Sequence, residues 1–168
     1  MAAVDLPAEM PAELVPAPRG RPKLNLGAGS VPEPGFVNVD SVPLPGIDVV
    51  HDLDVFPWPW EDGSVERIRA FDVFEHVWHP LPFMRECWRV LRPGGVLDMH
   101  TVHWRSPNYH RDPDHKRASD QQSWDYWIPG TELNARYGAS YAQGCHFERA
   151  SISLVDGLEI AVLLKKIP

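Results

Sequence analysis

Apolar and polar positions first become regular at Lys23, where Leu24 and Leu26 alternate with Asn25 and the run stops in the turn Gly27-Ala28-Gly29-Ser30. Alternation of this kind predicts a half-buried strand, and the two glycines predict a tight turn at its end. Gly35 to Asp40 and Ile47 to Leu53 repeat the pattern as β-branched and aromatic runs that close on an acid, Asp40 in one and Asp52 in the other. A fourth strand is predicted around Val65 to Phe71. The period then changes. From Pro80 or Pro82 through Leu91, the residues Leu81, Met84, Trp88 and Leu91 fall on one helical face, with proline in the first turn and Arg85, Arg89 and Arg92 toward the negative end. Pro93-Gly94-Gly95 ends that helix, and Val96 to Val102 reads as the next strand. The chain closes on Phe147 to Val155, then Asp156-Gly157, then Leu158 to Lys165. Asp-Gly between two alternating runs predicts a hairpin, so the last strand runs antiparallel to its predecessor.

The connections are short for such a sheet. Parallel strands usually need a crossover of about a dozen residues, yet only Ser41 to Gly46 separate the second and third strands, and Pro57 to Ser64 lead into the fourth. Neither holds a full helix. One face of an α/β sheet is therefore expected to be thinly covered, with the prolines and tryptophans of these links as an aromatic lid or with a second copy of the chain, a homodimer, against it. Residues 1–21, with Pro7, Pro11, Pro16 and Pro18, read as an arm beside one domain over 22–168. Residues 103–142, rich in His, Asp, Tyr and Trp, are the least regular part and read as an insertion at the carboxyl edge of the sheet that grips the substrate, the alternative being a surface excursion with one short helix near Asp120 to Trp127.

The length of 168 residues suits a single domain, and a formal charge of −7 with no basic stripe argues against duplex nucleic acid as a partner and leaves a small polar substrate as the easier one. Two well-separated cysteines, no apolar run long enough for a membrane and an N-terminus broken by Asp5, Glu9 and Glu13 predict free thiols and a cytoplasmic protein.

The chemistry gathers at the strand ends. Gly27 and Gly29 carry no Cβ and tolerate positive φ, so a ligand can lie directly on the main chain. Asp40 and Asp52 follow adjacent strands at the same edge, and a carboxylate after the second strand is placed to accept the hydroxyls of a ribose. Leu24-Asn25-Leu26-Gly27-Ala28-Gly29, Asp40, Asp52-Leu53, Asp72-Val73-Phe74-Glu75-His76 and Arg89 to Gly95, over roughly residues 22–168, resemble the class I S-adenosylmethionine-dependent methyltransferases. Asp112-Pro113-Asp114-His115-Lys116-Arg117 looks like the DPxHKR stretch of small bacterial and viral members.

The resemblance implies a Rossmann-like, mostly parallel sheet with an antiparallel C-terminal hairpin, and S-adenosylmethionine as cofactor. It implies that Gly27, Ala28 and Gly29 lie against the methionine part, that Asp40 holds the ribose hydroxyls, that Asp52 and the Leu53 backbone meet the adenine, and that Asp72 sits where the methyl leaves. Asn25 stands where the family has an acid, which weakens one contact. Methyl transfer is an in-line displacement in which a base is optional; His76, His103 and His115 are the candidates. Asp72-x-x-Glu75-His76 also resembles a metal arrangement of some methyltransferases, to be completed by His100, His103 or His115; no metal is assigned on that basis. Two rivals stand beside methyl transfer to a small hydroxyl or amine acceptor. A nicotinamide enzyme would want a third glycine where Pro32 stands, and a catalytically silent, methyltransferase-like binding protein would suit the thin sheet face.

Overall fold

The structure, a computed structural model, describes residues 20–168; the arm expected over 1–21 lies outside them except for Gly20 and Arg21. The elements are β1 (Lys23–Leu26), β2 (Val37–Asp40), β3 (Val49–Val50), β4 (Val65–Phe71), α1 (Pro80–Val90), β5 (Leu91–Val102), α2 (Pro107–Arg111), a 3₁₀ helix (Gln121–Trp127), α3 (Glu132–Tyr141), β6 (Phe147–Val155) and β7 (Glu159–Lys166). They form one seven-stranded sheet in the order β3-β2-β1-β4-β5-β7-β6. The first five strands are parallel, and β7 runs antiparallel to both its neighbours. Strand order reverses at β1, which lies between β2 and β4. A crevice opens there beyond the carboxyl ends, as it does in open α/β sheets generally.

Alternation along the strands divides the sheet into two unlike faces. Leu24, Leu26, Ile68, Ala70, Leu97 and Met99 point to one face and are fully or almost fully buried in a single core with Phe83, Met84, Cys87 and Val90 of α1. The helix face is thus shifted from the expected one: Leu81 and Trp88 are only partly buried, and Leu91 has already left the helix to begin β5. The shift has a polar cause. Glu86 sits on the buried side because its carboxylate accepts the Trp58 backbone N–H at 2.7 Å and pairs with the Arg89 guanidinium, also at 2.7 Å. Those bonds hold the Glu86 carboxyl below its ordinary range even though burial alone would raise it.

The opposite face carries Arg67, Arg69 and Phe71 of β4 and Asp98 and His100 of β5. Arg67 pairs with Asp98, and Phe71 stacks on His100 at 4.0 Å between ring centroids. No helix among the described residues lies between β1 and β4, so the reduced helical layer is as expected. The tryptophan link does not cap this face, however. Trp58 is 2% exposed and meets Phe83 edge-on at 5.3 Å, which places it on the α1 side.

Residues 103–142 are more ordered than their composition suggests. Asp120 caps the 3₁₀ helix, accepting from Gln122 and Ser123, and Thr131 caps α3. Trp124, Trp127 and Ile128 join the main core. Two of the aromatics in the excursion therefore serve folding. Cys87 and Cys145 are free and buried, and burial raises both thiols above their usual range. No helix among the described residues is long and apolar enough to cross a membrane.

Candidate active site

Gly27 follows β1 with φ +61° and Asp72 follows β4 with φ +53°. A left-handed backbone is uncommon for a residue with a side chain, although Asp tolerates it better than most. It is held here by the Asp72 N–H, which bonds to the His100 carbonyl at 3.0 Å. Three clefts meet at this point, and Asp72 lines all of them.

The first cleft, about 310 Å³, runs along the carboxyl ends of β1 to β3 past Gly27, Asp40, His51, Asp52, Leu53 and Val73. Asp40 fixes its edge: one carboxylate oxygen accepts the Gly29 N–H at 2.8 Å and the other the Val42 N–H at 3.0 Å. Asp52 is exposed and accepts from Asp54 N, while the Leu53 carbonyl accepts the Trp58 indole N–H at 3.1 Å. The second cleft lies on the other side of the glycine turn, against Asn25, Ala28, Gly29, Arg69 and Phe71. Asn25 is 5% exposed and donates to the Asn38 side chain at 2.9 Å, so it braces β1 against β2 as well as facing the cleft. The expected cofactor residues Asn25, Gly27, Ala28, Gly29, Asp40, Asp52, Leu53 and Asp72 therefore all line this connected crevice.

The third cleft, about 480 Å³, opens from Asp72 in the other direction, over Glu75, His76, Val102, Asp112, His115 and Glu159. His76 and His115 meet here, with ring centroids 4.7 Å apart. His103 does not join them. It is 4% exposed, packs beside Trp104, and its Nδ1 accepts the Arg105 N–H, outside all three clefts.

Glu75 is 1% exposed, with both oxygens committed to Thr101 Oγ1 at 2.9 Å and Val102 N at 3.2 Å. It is thus spent on the sheet, and a metal set of Asp72, Glu75 and His76 would have to break those bonds. His100, stacked on Phe71, faces the opposite side of the sheet. Desolvation raises the Glu75 carboxyl above its usual range, outweighing the hydrogen bonds that oppose it. A raised folded value means that its contribution to stability is complete below the unfolded carboxylate range and is lost as pH rises through the folded value. Glu75→Gln keeps an acceptor for Val102 N–H and removes that loss. Its melting temperature should equal or exceed the wild-type value at neutral pH and should vary less between pH 4 and 8. A melting temperature well below wild type at neutral pH would show that the charge itself is needed.

The segment Asp112 to Arg117 is what presses the excursion onto the loop after β4. Its Lys116 N–H donates to the Glu75 carbonyl at 2.8 Å, and Asp114 accepts from His76 Nδ1 at 2.9 Å and also pairs with Lys116. The Arg117 guanidinium donates to the Phe74, Val77 and Trp78 carbonyls. Asp54, in the loop after β3, completes the frame by accepting the Trp78 and His79 N–H groups at 2.9 Å each. Asp54 has no signal of its own in the sequence, because a lone acid after a strand is ordinary, whereas Arg117 is marked there only as the end of the Asp112 to Arg117 stretch, with no role attached.

The strand order, with an antiparallel seventh strand between β5 and β6 and the glycine turn at the β1 switch point, defines the class I S-adenosylmethionine-dependent methyltransferase fold. The comparisons agree. Residues 37–98 match a family model described as a methyltransferase domain. A probable S-adenosylmethionine-dependent methyltransferase of Mycolicibacterium smegmatis is 46% identical over 54 residues, which is 32% of this chain and 20% of that protein. A transposon-encoded protein of Streptomyces fradiae is 41% identical over 63 residues, 38% of this chain and 18% of its own length. The matched stretch thus spans about a fifth of these relatives. Among solved structures, a methyltransferase of Archaeoglobus fulgidus superposes with TM-score 0.62 at 13% identity, covering 88% of this chain and 87% of the other. A Burkholderia thailandensis N-methyltransferase solved with S-adenosylhomocysteine gives 0.58 at 14%, covering 88% and 72%. The solved structures share the fold, and the family model matches the stretch from β2 into β5. The crevice fits S-adenosylmethionine as cofactor: a Cβ added at Gly29 would stand in open space, leaving room for a ligand on the main chain.

Proposed function

We propose that this chain transfers a methyl group from S-adenosylmethionine to a hydroxyl or amine of a small molecule bound in the cleft over His76 and His115. The observation that carries the reading is the position of Asp72, which lines all three clefts, with His76 beside it on both the first and the third. Methyl transfer needs donor and acceptor aligned on either side of such a point. The main chain from Gly27 to Gly29 receives the methionine part, Asp40 the ribose hydroxyls, and Asp52 with the Leu53 backbone the adenine. The cofactor supplies an activated methyl on a sulfonium. Asp40, Asp52, Asp54, Asp72 and Asp114 surround the first cleft, and their field favours a cationic sulfonium over the neutral thioether left after transfer. His76 and His115 are the side chains placed to meet the acceptor.

Calorimetric titration with S-adenosylhomocysteine, with NADH as control, tests the cofactor. Asp40→Ala should weaken binding by roughly 1–3 kcal/mol through loss of charge-assisted hydrogen bonds; an unchanged affinity would remove Asp40 from the site. Cofactor binding with no turnover across an acceptor screen would instead favour the silent binding protein. The reading includes a cytoplasmic location. It also includes a homodimer through the thinly covered sheet face, which light scattering would check.

A further inference from the structure

The third cleft contains a donor set that methyl transfer by itself does not require. One ligand atom each of His76, Asp112 and His115 lies within 4.8 Å of the other two. Ligands about 2.0–2.1 Å from one ion stand roughly 3–3.4 Å apart, so small rotations of these side chains close the set. His115 is nearly buried, at 9% side-chain exposure, and its Nδ1 has no hydrogen-bond partner. Its other ring nitrogen lies 3.9 Å from the Asp112 carboxylate, too far for a hydrogen bond. A buried imidazole held open in this way costs stability unless something else occupies it.

His76 has the complementary arrangement. Its Nδ1 is 2.9 Å from an Asp114 oxygen, and since a carboxylate only accepts, that nitrogen carries the proton and, in the neutral ring, leaves the Nε2 lone pair for a ligand bond. Histidines that bind metals usually donate their second nitrogen to a carboxylate in this manner, which fixes the ring and raises its basicity. Asp72 and Glu159 add negative charge at the same cleft, against Arg111.

We infer that His76, Asp112 and His115 form a binding site for a divalent transition-metal cation at the mouth of the acceptor cleft. Two imidazoles and one carboxylate suit zinc, manganese, iron(II), cobalt or nickel better than magnesium or calcium. Three protein ligands leave positions open toward the cleft, where the oxygen donors of an acceptor can bind. This assigns the histidine pair to holding and orienting an oxygen-bearing acceptor, and it is a different set from Asp72, Glu75 and His76. The functional role rests on the methyl-transfer reading; the site itself does not.

The test is titration of the chelator-treated full chain with Zn²⁺ by calorimetry and with Co²⁺ by visible absorption, with S-adenosylhomocysteine binding measured in parallel. The expected result is one cation per chain at micromolar affinity. His115→Ala and Asp112→Asn should each weaken it at least about tenfold with S-adenosylhomocysteine binding kept, and Asp114→Asn should weaken it by about 10–100-fold. His115→Gln serves if the alanine variant does not fold. Absence of one-to-one binding up to millimolar cation, or binding indifferent to all these changes, overturns the site. Cation binding in a chain that fails to bind S-adenosylhomocysteine supports the site and overturns the methyl-transfer reading.

Discussion

Gly27→Ala is expected to abolish cofactor binding and to destabilise the fold by about 2–5 kcal/mol. Two costs add. The backbone at Gly27 has φ +61°, and placing an L side chain there costs roughly 1–2 kcal/mol. The new Cβ would also stand 2.4 Å from Val73 Cγ2, so either the turn or the first residue of the loop after Asp72 must move, at a further ~1–3 kcal/mol. That movement reshapes the junction where the three clefts meet. Gly29→Ala separates ligand from strain. Gly29 has φ +52°, but a Cβ there meets nothing within 4 Å, so its stability cost is limited to the backbone term. Its loss of affinity for S-adenosylhomocysteine should nonetheless be large if the ligand lies on that stretch of main chain. Urea denaturation and calorimetry on both variants decide the matter. Wild-type stability in Gly27→Ala would show that the turn does not have this geometry, and wild-type affinity in Gly29→Ala would move the ligand off the turn.

Arg117→Ala is expected to cost about 2–4 kcal/mol and to loosen the third cleft. The guanidinium donates to three carbonyls of one short turn, Phe74 and Trp78 at 2.7 and 3.3 Å together with Val77. Burial lowers its pKa somewhat, while Asp54 and Glu75 favour the charged form. Removing the fork leaves those carbonyls short of donors and frees the Asp112 to Lys116 segment from the loop that carries His76. Arg117→Lys should recover little, because a single ammonium cannot span the turn as a planar fork does. The measurement is urea denaturation, with protease sensitivity of residues 103–120 as a local readout. Unchanged stability and unchanged protection would show that Lys116 and Asp114 hold the segment alone.

Much of this architecture is legible in local pattern. Period-two runs ending in Gly27, Asp40, Asp52 and Asp72 give the parallel strands and the edge where they finish. Asp156-Gly157 gives the terminal hairpin, although the strands pair Val155 with Glu159 across three residues, so Leu158 belongs to the turn and not to the strand. The short links give the missing helical layer by length alone. Each of these depends on neighbours within a few residues, which a sequence displays directly.

Other features depend on residues far apart in the chain. The buried face of α1 includes Glu86 because Trp58, 28 positions away, supplies a donor; hydrophobic spacing cannot anticipate a paired carboxylate. Glu75 is withdrawn from the chemistry by Thr101 and Val102, and His103 by its burial beside Trp104, whereas His76 and His115 are brought together across 39 positions. Gly27 and Gly29 read alike in sequence, and only Val73 packing against one of them separates a structural glycine from one that leaves room for a ligand.

The sequence by itself determined the class of the fold: the strands, their direction, the glycine turn and the acids at one sheet edge, all set by backbone sterics and alternation over short range. The tertiary structure alone decided the composition of the third cleft, the one proposed for the acceptor. Docking of residues 112–117 onto the loop after β4 is a matter of long-range hydrogen bonds, and those bonds select which histidines and which carboxylates share a space.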